Sequence, residues 1–206
     1  MESKMKLKAL LAGVVFASAF STASALSVVT GNVPQIDDNL IRNGCGLATS
    51  DTALSVQGCL NTNHAAIVNL TSDEVINING GQADITATDD LLSRLTISTT
   101  GFSTLILDID ASADGFVTFS DGATTSAPFA LDDNGNNFFT LTGIVGPSVT
   151  FVTSVNGVET DIVSDVKQIR LGAGPVAAIP EPETYALLMA GLAAVGFISR
   201  RRKADR

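Results

Sequence analysis

The run Leu95-Thr-Ile97-Ser-Thr-Thr-Gly101-Phe-Ser-Thr-Leu105-Ile-Leu107-Asp-Ile109 decides the fold class. Leu95 and Ile97 alternate with hydroxyl residues, Thr100-Gly101 interrupts, and Leu105, Leu107 and Ile109 then fall on one face of a second extended segment. A period of two turns alternate side chains toward a core and toward solvent, as in an antiparallel strand; a helix needs apolar residues every three to four positions. The same period recurs outward from this point. Ala83-Asp-Ile85-Thr-Ala87-Thr alternates, Phe139 shares a face with Leu141, Val149 shares one with Phe151 and Val155, and Val166-Lys-Gln-Ile-Arg-Leu171 reads as the last strand. Between them lie Asn79-Gly80-Gly81, Asp121-Gly122, Asp133-Asn-Gly135-Asn, Gly146-Pro147 and Asn156-Gly157, residues that accept positive φ or fix a turn. No stretch between residues 26 and 179 keeps a 3.6-residue period beyond two turns, although Asp89-Asp-Leu-Leu-Ser-Arg94 is expected to form a single helical turn. Eight to ten short strands at this spacing predict an all-β domain, an antiparallel β-sandwich of jelly-roll-like form.

The ends of the 206-residue chain have a different character. Lys4, Lys6 and Lys8 precede an apolar run from Ala9 to Phe20, and Ala23-Ser24-Ala25 supplies small residues at a cleavage site. That order matches a secretory signal peptide over residues 1–25, cut by signal peptidase after Ala25; the alternative, an N-terminal membrane helix, is disfavoured because the run is short for a bilayer. At the other end, Pro180-Glu181-Pro182 precedes a sixteen-residue hydrophobic stretch, Thr184 to Ser199, and then Arg200-Arg201-Arg202-Lys203. As a helix the stretch would reach about 24 Å, a short inner-membrane span that needs local thinning, with its basic tail held on the cytoplasmic side. Ala190, Gly191, Ala193, Ala194 and Gly196 would let another helix approach it closely. The expected organisation is therefore a β domain over 26–171, a linker over 172–179 and an anchoring segment over 180–206.

Charge is divided in the same way. Eight of the 12 Lys and Arg lie in the terminal segments, whereas residues 26–179 hold four basic and 17 acidic side chains, a balance of −13. Such a surface repels phosphate and anionic lipid, which argues against a nucleic-acid or membrane-surface role for the domain.

The segment from Pro180 to Lys203, with its Pro-Glu-Pro signature, short Leu/Ala/Gly-rich helix and terminal arginine cluster, resembles the PEP-CTERM sorting domain of Gram-negative bacterial exoproteins. The resemblance implies an exosortase as partner, a membrane transpeptidase-like cysteine enzyme that cuts near Pro180, Glu181 and Pro182. It also implies export to the cell surface or to an extracellular polysaccharide matrix of the kind that forms biofilm. Gly81-Gln-Ala-Asp-Ile-Thr-Ala87, Phe102-Ser-Thr-Leu-Ile-Leu-Asp-Ile109, Asn137-Phe-Phe-Thr140 and Asp165-Val-Lys-Gln-Ile-Arg-Leu171 resemble, more weakly, globular domains that precede such signals; this brings no activity with it.

Candidate sites in the domain are few. Cys45 and Cys59 are the only cysteines, and in an oxidising compartment they are expected to pair; a loop of about 15 residues closed this way stabilises by roughly 3 kcal/mol. Asp110, Ser112, Asp114, the Phe116 carbonyl and Asp121 fall at loop positions 1, 3, 5, 7 and 12 around Gly115, a spacing similar to an EF-hand calcium loop. Calcium is the one cofactor the sequence admits. The flanks are not helical, and Asp121 stands where a bidentate Glu belongs, so an acidic Asp-Gly hairpin is the plainer reading. His64, the sole histidine, has no nucleophile motif around it, and Asp37-Asp38, Asp89-Asp90 and Asp132-Asp133 point to opposite faces when extended. Two cysteines and one histidine are too few for a zinc site. The domain has no Trp or Tyr to stack on a sugar, and most of its seven Phe are needed for the core. The expectation is a non-catalytic exported protein, with a ligand-binding or carbohydrate-binding module, calcium-dependent or not, as the alternative.

Overall fold

A computed structural model describes residues 25–33, 38–88, 91–133 and 135–173. The signal peptide up to Ser24 and the whole anchoring segment, including Pro180 to Pro182 and Arg200 to Arg202, lie outside the described residues. Thirteen strands form: β1 (Ser27–Thr30), β2 (Asp38–Ile41), β3 (Thr52–Leu60), β4 (Ile67–Asn79), β5 (Asp84–Ala87), β6 (Arg94–Ser98), β7 (Phe102–Ala111), β8 (Gly115–Ser120), β9 (Phe129–Leu131), β10 (Asn137–Thr142), β11 (Ser148–Val155), β12 (Val158–Glu159) and β13 (Val163–Ala173). The expected helical turn at 89–94 is absent from its described part. Leu92 instead bridges to Val163, and Arg94 opens β6, because Leu92 and Leu95 are both fully buried on the sheet.

Every strand pairing is antiparallel, and all thirteen strands belong to one hydrogen-bonded sheet. Its main path runs β1-β10-β7-β13-β2-β3-β4-β6-β11-β8-β9. β5 pairs with both β4 and β13, so β13, β2, β3, β4 and β5 close into a small five-stranded barrel with the other strands attached. This corrects the expected jelly-roll-like sandwich of two separate sheets. The physical reason is the length of β4 and β13. At 13 and 11 residues they outrun any one partner, and each serves successive partners along its length. β4 turns from β6 at Asn69–Ser72 to β5 at Ile76–Asn79, and β13 changes from β5 at Asp165–Val166 to β2 at Arg170–Leu171 across a bulge. The bulge holds Gln168 at φ 50°, an extra residue that bends the strand and lets the edge change partner.

The attached strands still face one another. Phe119 on β8 lies 5.1 Å, centroid to centroid, from Phe139 on β10, although these strands share no hydrogen bonds, and Phe129 and Phe151 complete the cluster. Tilted and edge-on ring pairs of this kind add roughly 0.5–1.5 kcal/mol each beyond the area they bury. One continuous core results: the barrel strands contribute aliphatic side chains (Val56, Leu70, Ile76, Ile85, Val166), and the two attached flaps, β1-β10-β7 and β6-β11-β8-β9, add the rings together with Leu95, Leu107, Val117 and Leu141. β13 runs on through Gly172 and Ala173, two residues into the stretch expected to be linker, where it pairs with Thr104 and Phe102.

Candidate functional site

Cys45 and Cys59 form a disulfide with Cα atoms 5.7 Å apart. Cys59 is fully buried on β3 and paired with Ile41 in the ladder, so the bond ties the β2–β3 connection back onto the barrel wall. The same connection is held by Arg42, whose guanidinium donates to Asp51 and, at 2.7 Å, to the Thr49 carbonyl.

The residues of the calcium-like loop go to separate tasks. Asp110 is still within β7, where Oδ2 lies 2.6 Å from Lys167 Nζ. Ser112 Oγ donates to the Ile162 carbonyl at 3.1 Å, and Asp114 Oδ1 accepts the Asp133 N–H at 3.1 Å. Phe116 pairs on β8 with Ala130 and Ser154, its ring exposed. Asp121 lies at the far end of β8, nearly fully buried, and accepts hydrogen bonds from the N–H groups of Thr124, Ala123 and Val145 and from Thr124 Oγ1. Burial alone would push its carboxyl up, but these donors outweigh it and hold the group below the usual carboxylate range. β7 and β8 do not pair, so the plainer hairpin reading is corrected as well. β7 lies between β10 and β13, β8 between β11 and β9, and the chain at 112–114 crosses from one flap to the other. Among the described residues no group of three His, Cys, Asp or Glu side chains is arranged to hold a metal ion. His64 is exposed in the β3–β4 turn.

The densest charge network was not singled out from the sequence. On the seam between β7 and β13, Lys167 pairs across from Asp108, and Asp165 from Asp110. Lys167 Nζ sits 2.6 Å from Asp110 and 2.7 Å from Asp165 Oδ1, and the two contacts drive its pKa upward, keeping it charged. Asp108 is only 3% exposed, and its Oδ1 accepts no hydrogen bond. Burial, reinforced by Asp110 and Asp165, raises its pKa to about 6 against the pull of Lys167 and of the Asn137 N–H. Asp165 is raised too, by burial first and by Asp110, despite its ion pair. A shallow hollow beside the cluster is lined by Gln82, Ala83, Asp84, Lys167 and Gln168. The available signal was the pair of period-two motifs Asp108-Ile-Asp110 and Asp165-Val-Lys167, which becomes a cluster only once the register aligns them. Chemically, a lysine held protonated between carboxylates is a structural cation and a poor nucleophile.

The sorting residues lie beyond this geometry, on chain that follows β13. Ala25, at the expected signal cleavage site, is exposed, and Leu26 packs against the core. Ala23 lies outside the described residues. The chain matches no curated protein and no solved structure. Residues 178–203 match the family model of the PEP-CTERM protein-sorting motif, which marks the chain as an exosortase substrate.

Proposed function

We propose that this chain is a non-catalytic cell-surface or extracellular-matrix protein. It crosses the inner membrane behind a cleaved signal peptide, is held by its C-terminal helix, and is cut by an exosortase near Pro180–Pro182. The product is an acidic β domain among exopolysaccharide, in the matrix of a biofilm. The observation that carries this reading is positional. The last described strand ends at Ala173 and the matched motif begins at residue 178, so cutting within the motif leaves every described strand in place. The disulfide favours an oxidising destination outside the cytoplasm. Deleting residues 180–206 in the producing cell is the test: loss of the cut form and of surface delivery is expected, and normal delivery by the truncated chain overturns the reading.

One observation favours a ligand-binding or carbohydrate-binding module. The Phe116 ring is 46% exposed beside a hollow lined by Asp114, Ala130, Asp132, Val155 and Asn156. An exposed aromatic flanked by carboxylates and an amide is the chemistry that stacks on and hydrogen-bonds a sugar. Retention of the protein on the producer's own polysaccharide should fall several-fold in Phe116→Ala; unchanged retention removes this reading.

A further inference from the structure

β1 begins and β13 ends at the same end of the sheet. Ser27 pairs with Thr142, Thr142 with Thr104, and Thr104 with Gly172, one lateral row across β1, β10, β7 and β13. At the usual spacing of neighbouring strands the row spans about 14 Å. The antiparallel pairing makes β1 run away from this end and β13 run toward it. From Ala173 to Pro180 the chain can stretch at most about 25 Å, and much of that is needed if an enzyme is to hold the cleavage site extended. The end of the domain that carries Ser27 and Ala173 must therefore lie close to whatever grips the motif.

That end is also where the carboxylates are scarce. Its described connections are the β3–β4 turn (61–66), the β6–β7 turn (99–101), the β8–β9 loop (121–128) and the β10–β11 loop (143–147); the chain also enters β2 here, through residues 34–37, Asp37 among them, which lie outside the described residues. Among their described residues and the adjoining strand ends, the charged or titratable side chains are Asp38, His64 and Asp121. Asp38 accepts from Thr62, and Asp121 is buried in its cage of donors. Gly146 seals the cage, since a Cβ there would stand 2.1 Å from the Asp121 carbonyl. The opposite end carries Asp73, Asp114, Asp132, Asp133, Glu159 and Asp161, with Arg94 bound to Glu159. The ten residues of β7 separate the two ends by about 33 Å, several Debye lengths at physiological salt.

We propose that the end bearing both termini is a docking face for the exosortase. Its weakly charged loops, with Val145 as an exposed apolar contact, lie against the outer surface of the enzyme while the acidic end points away from the membrane. The low charge of this face is what lets a domain of such negative balance approach an enzyme set among anionic headgroups. The inference rests on the sorting reading above and adds the surface and the orientation.

The test uses the full chain in cells that make the exosortase, following the cut form over time. The triple variant Ala65→Glu, Thr100→Glu, Val145→Glu charges the docking face at exposed positions, and Ala113→Glu, Asn136→Glu, Val158→Glu adds the same charge to the opposite end. Cutting of the first is expected to slow about tenfold or more, and cutting of the second to match the parent. A twenty-residue Gly/Ser spacer after Ala173 should restore cutting of the first by letting the domain stand off. Equal rates for both triples, or slow cutting that the spacer leaves unrelieved, overturns the docking face. A parent chain that is never cut would instead overturn the sorting reading itself.

Discussion

The barrel and the aromatic flaps bury their surfaces by different means. β13, β2, β3, β4 and β5 close on themselves, fill with Leu, Ile and Val, and carry the disulfide on β3. β8, β9, β10 and β11 are never joined into a ring, and they bury Phe119, Phe129, Phe139 and Phe151 together with Val117, Leu131, Leu141 and Val149. Closure leaves the barrel no free edge and makes its strands mutually dependent through hydrogen bonds. The flaps depend on side-chain contact across a gap and end in open edges at β1 and β9. The difference teaches where stability resides: removing a ring should loosen one region, and removing the covalent tie should loosen the other.

The largest effect is expected at Phe119, which touches the other three rings. Phe119→Ala should cost about 3–5 kcal/mol in denaturant unfolding. Amide exchange should quicken first in β8 to β11; uniform acceleration through β2 to β5 would break the distinction between the two regions. Next comes Cys45→Ser with Cys59→Ser, expected to cost about 3 kcal/mol, with faster exchange confined to the β2–β3 region. An unchanged melting temperature would show that closure alone holds the barrel.

Asp121→Ala strands three backbone N–H groups and should cost about 1–3 kcal/mol at neutral pH. Because the folded carboxyl lies below its ordinary range, its stabilisation is complete above the unfolded value. It is lost as pH falls through the folded value, so parent and variant should converge in strong acid. A gap that persists there would assign the effect to packing.

The smallest change tests the seam between the regions. Asp108 holds its proton to about pH 6 when folded, against 3.8 ordinarily, so its contribution favours folding most below pH 4 and is lost as pH rises to 6. Asp108→Asn should stabilise the protein above pH 6, by on the order of 1 kcal/mol after solvent screening, and match the parent below pH 4. Melting curves across that interval decide it, and a pH-independent difference would mean that Lys167 compensates the charge fully.

Legibility followed the range of the physics. Thr100-Gly101, Asp121-Gly122 and Asn156-Gly157 were readable as turns, and Gly101, Gly122, Asn156 and Gly157 do have positive φ. β5, β6, β7, β10, β11 and β13 lie where period-two alternation placed strands. β4 was not read, because Thr71-Ser-Asp-Glu74 interrupts its alternation where the strand bends between partners. The positive φ of Gln168 has no local signal, since the bulge answers to β2 and β5 competing for one edge of β13.

From its sequence alone this protein is an exported all-β domain with a processing signal behind it, because strand period, turn φ and the motif at 178–203 are written in neighbouring residues. Tertiary structure decided that the sheet is single and partly closed, that Asp108, Asp110, Asp165 and Lys167 meet, and that both termini leave one weakly charged end. Those features depend on pairings such as Ser27 with Thr142 and Asp110 with Asp165. Such contacts form only when distant segments satisfy one another's backbone hydrogen bonds, and local sterics carry no record of the partner.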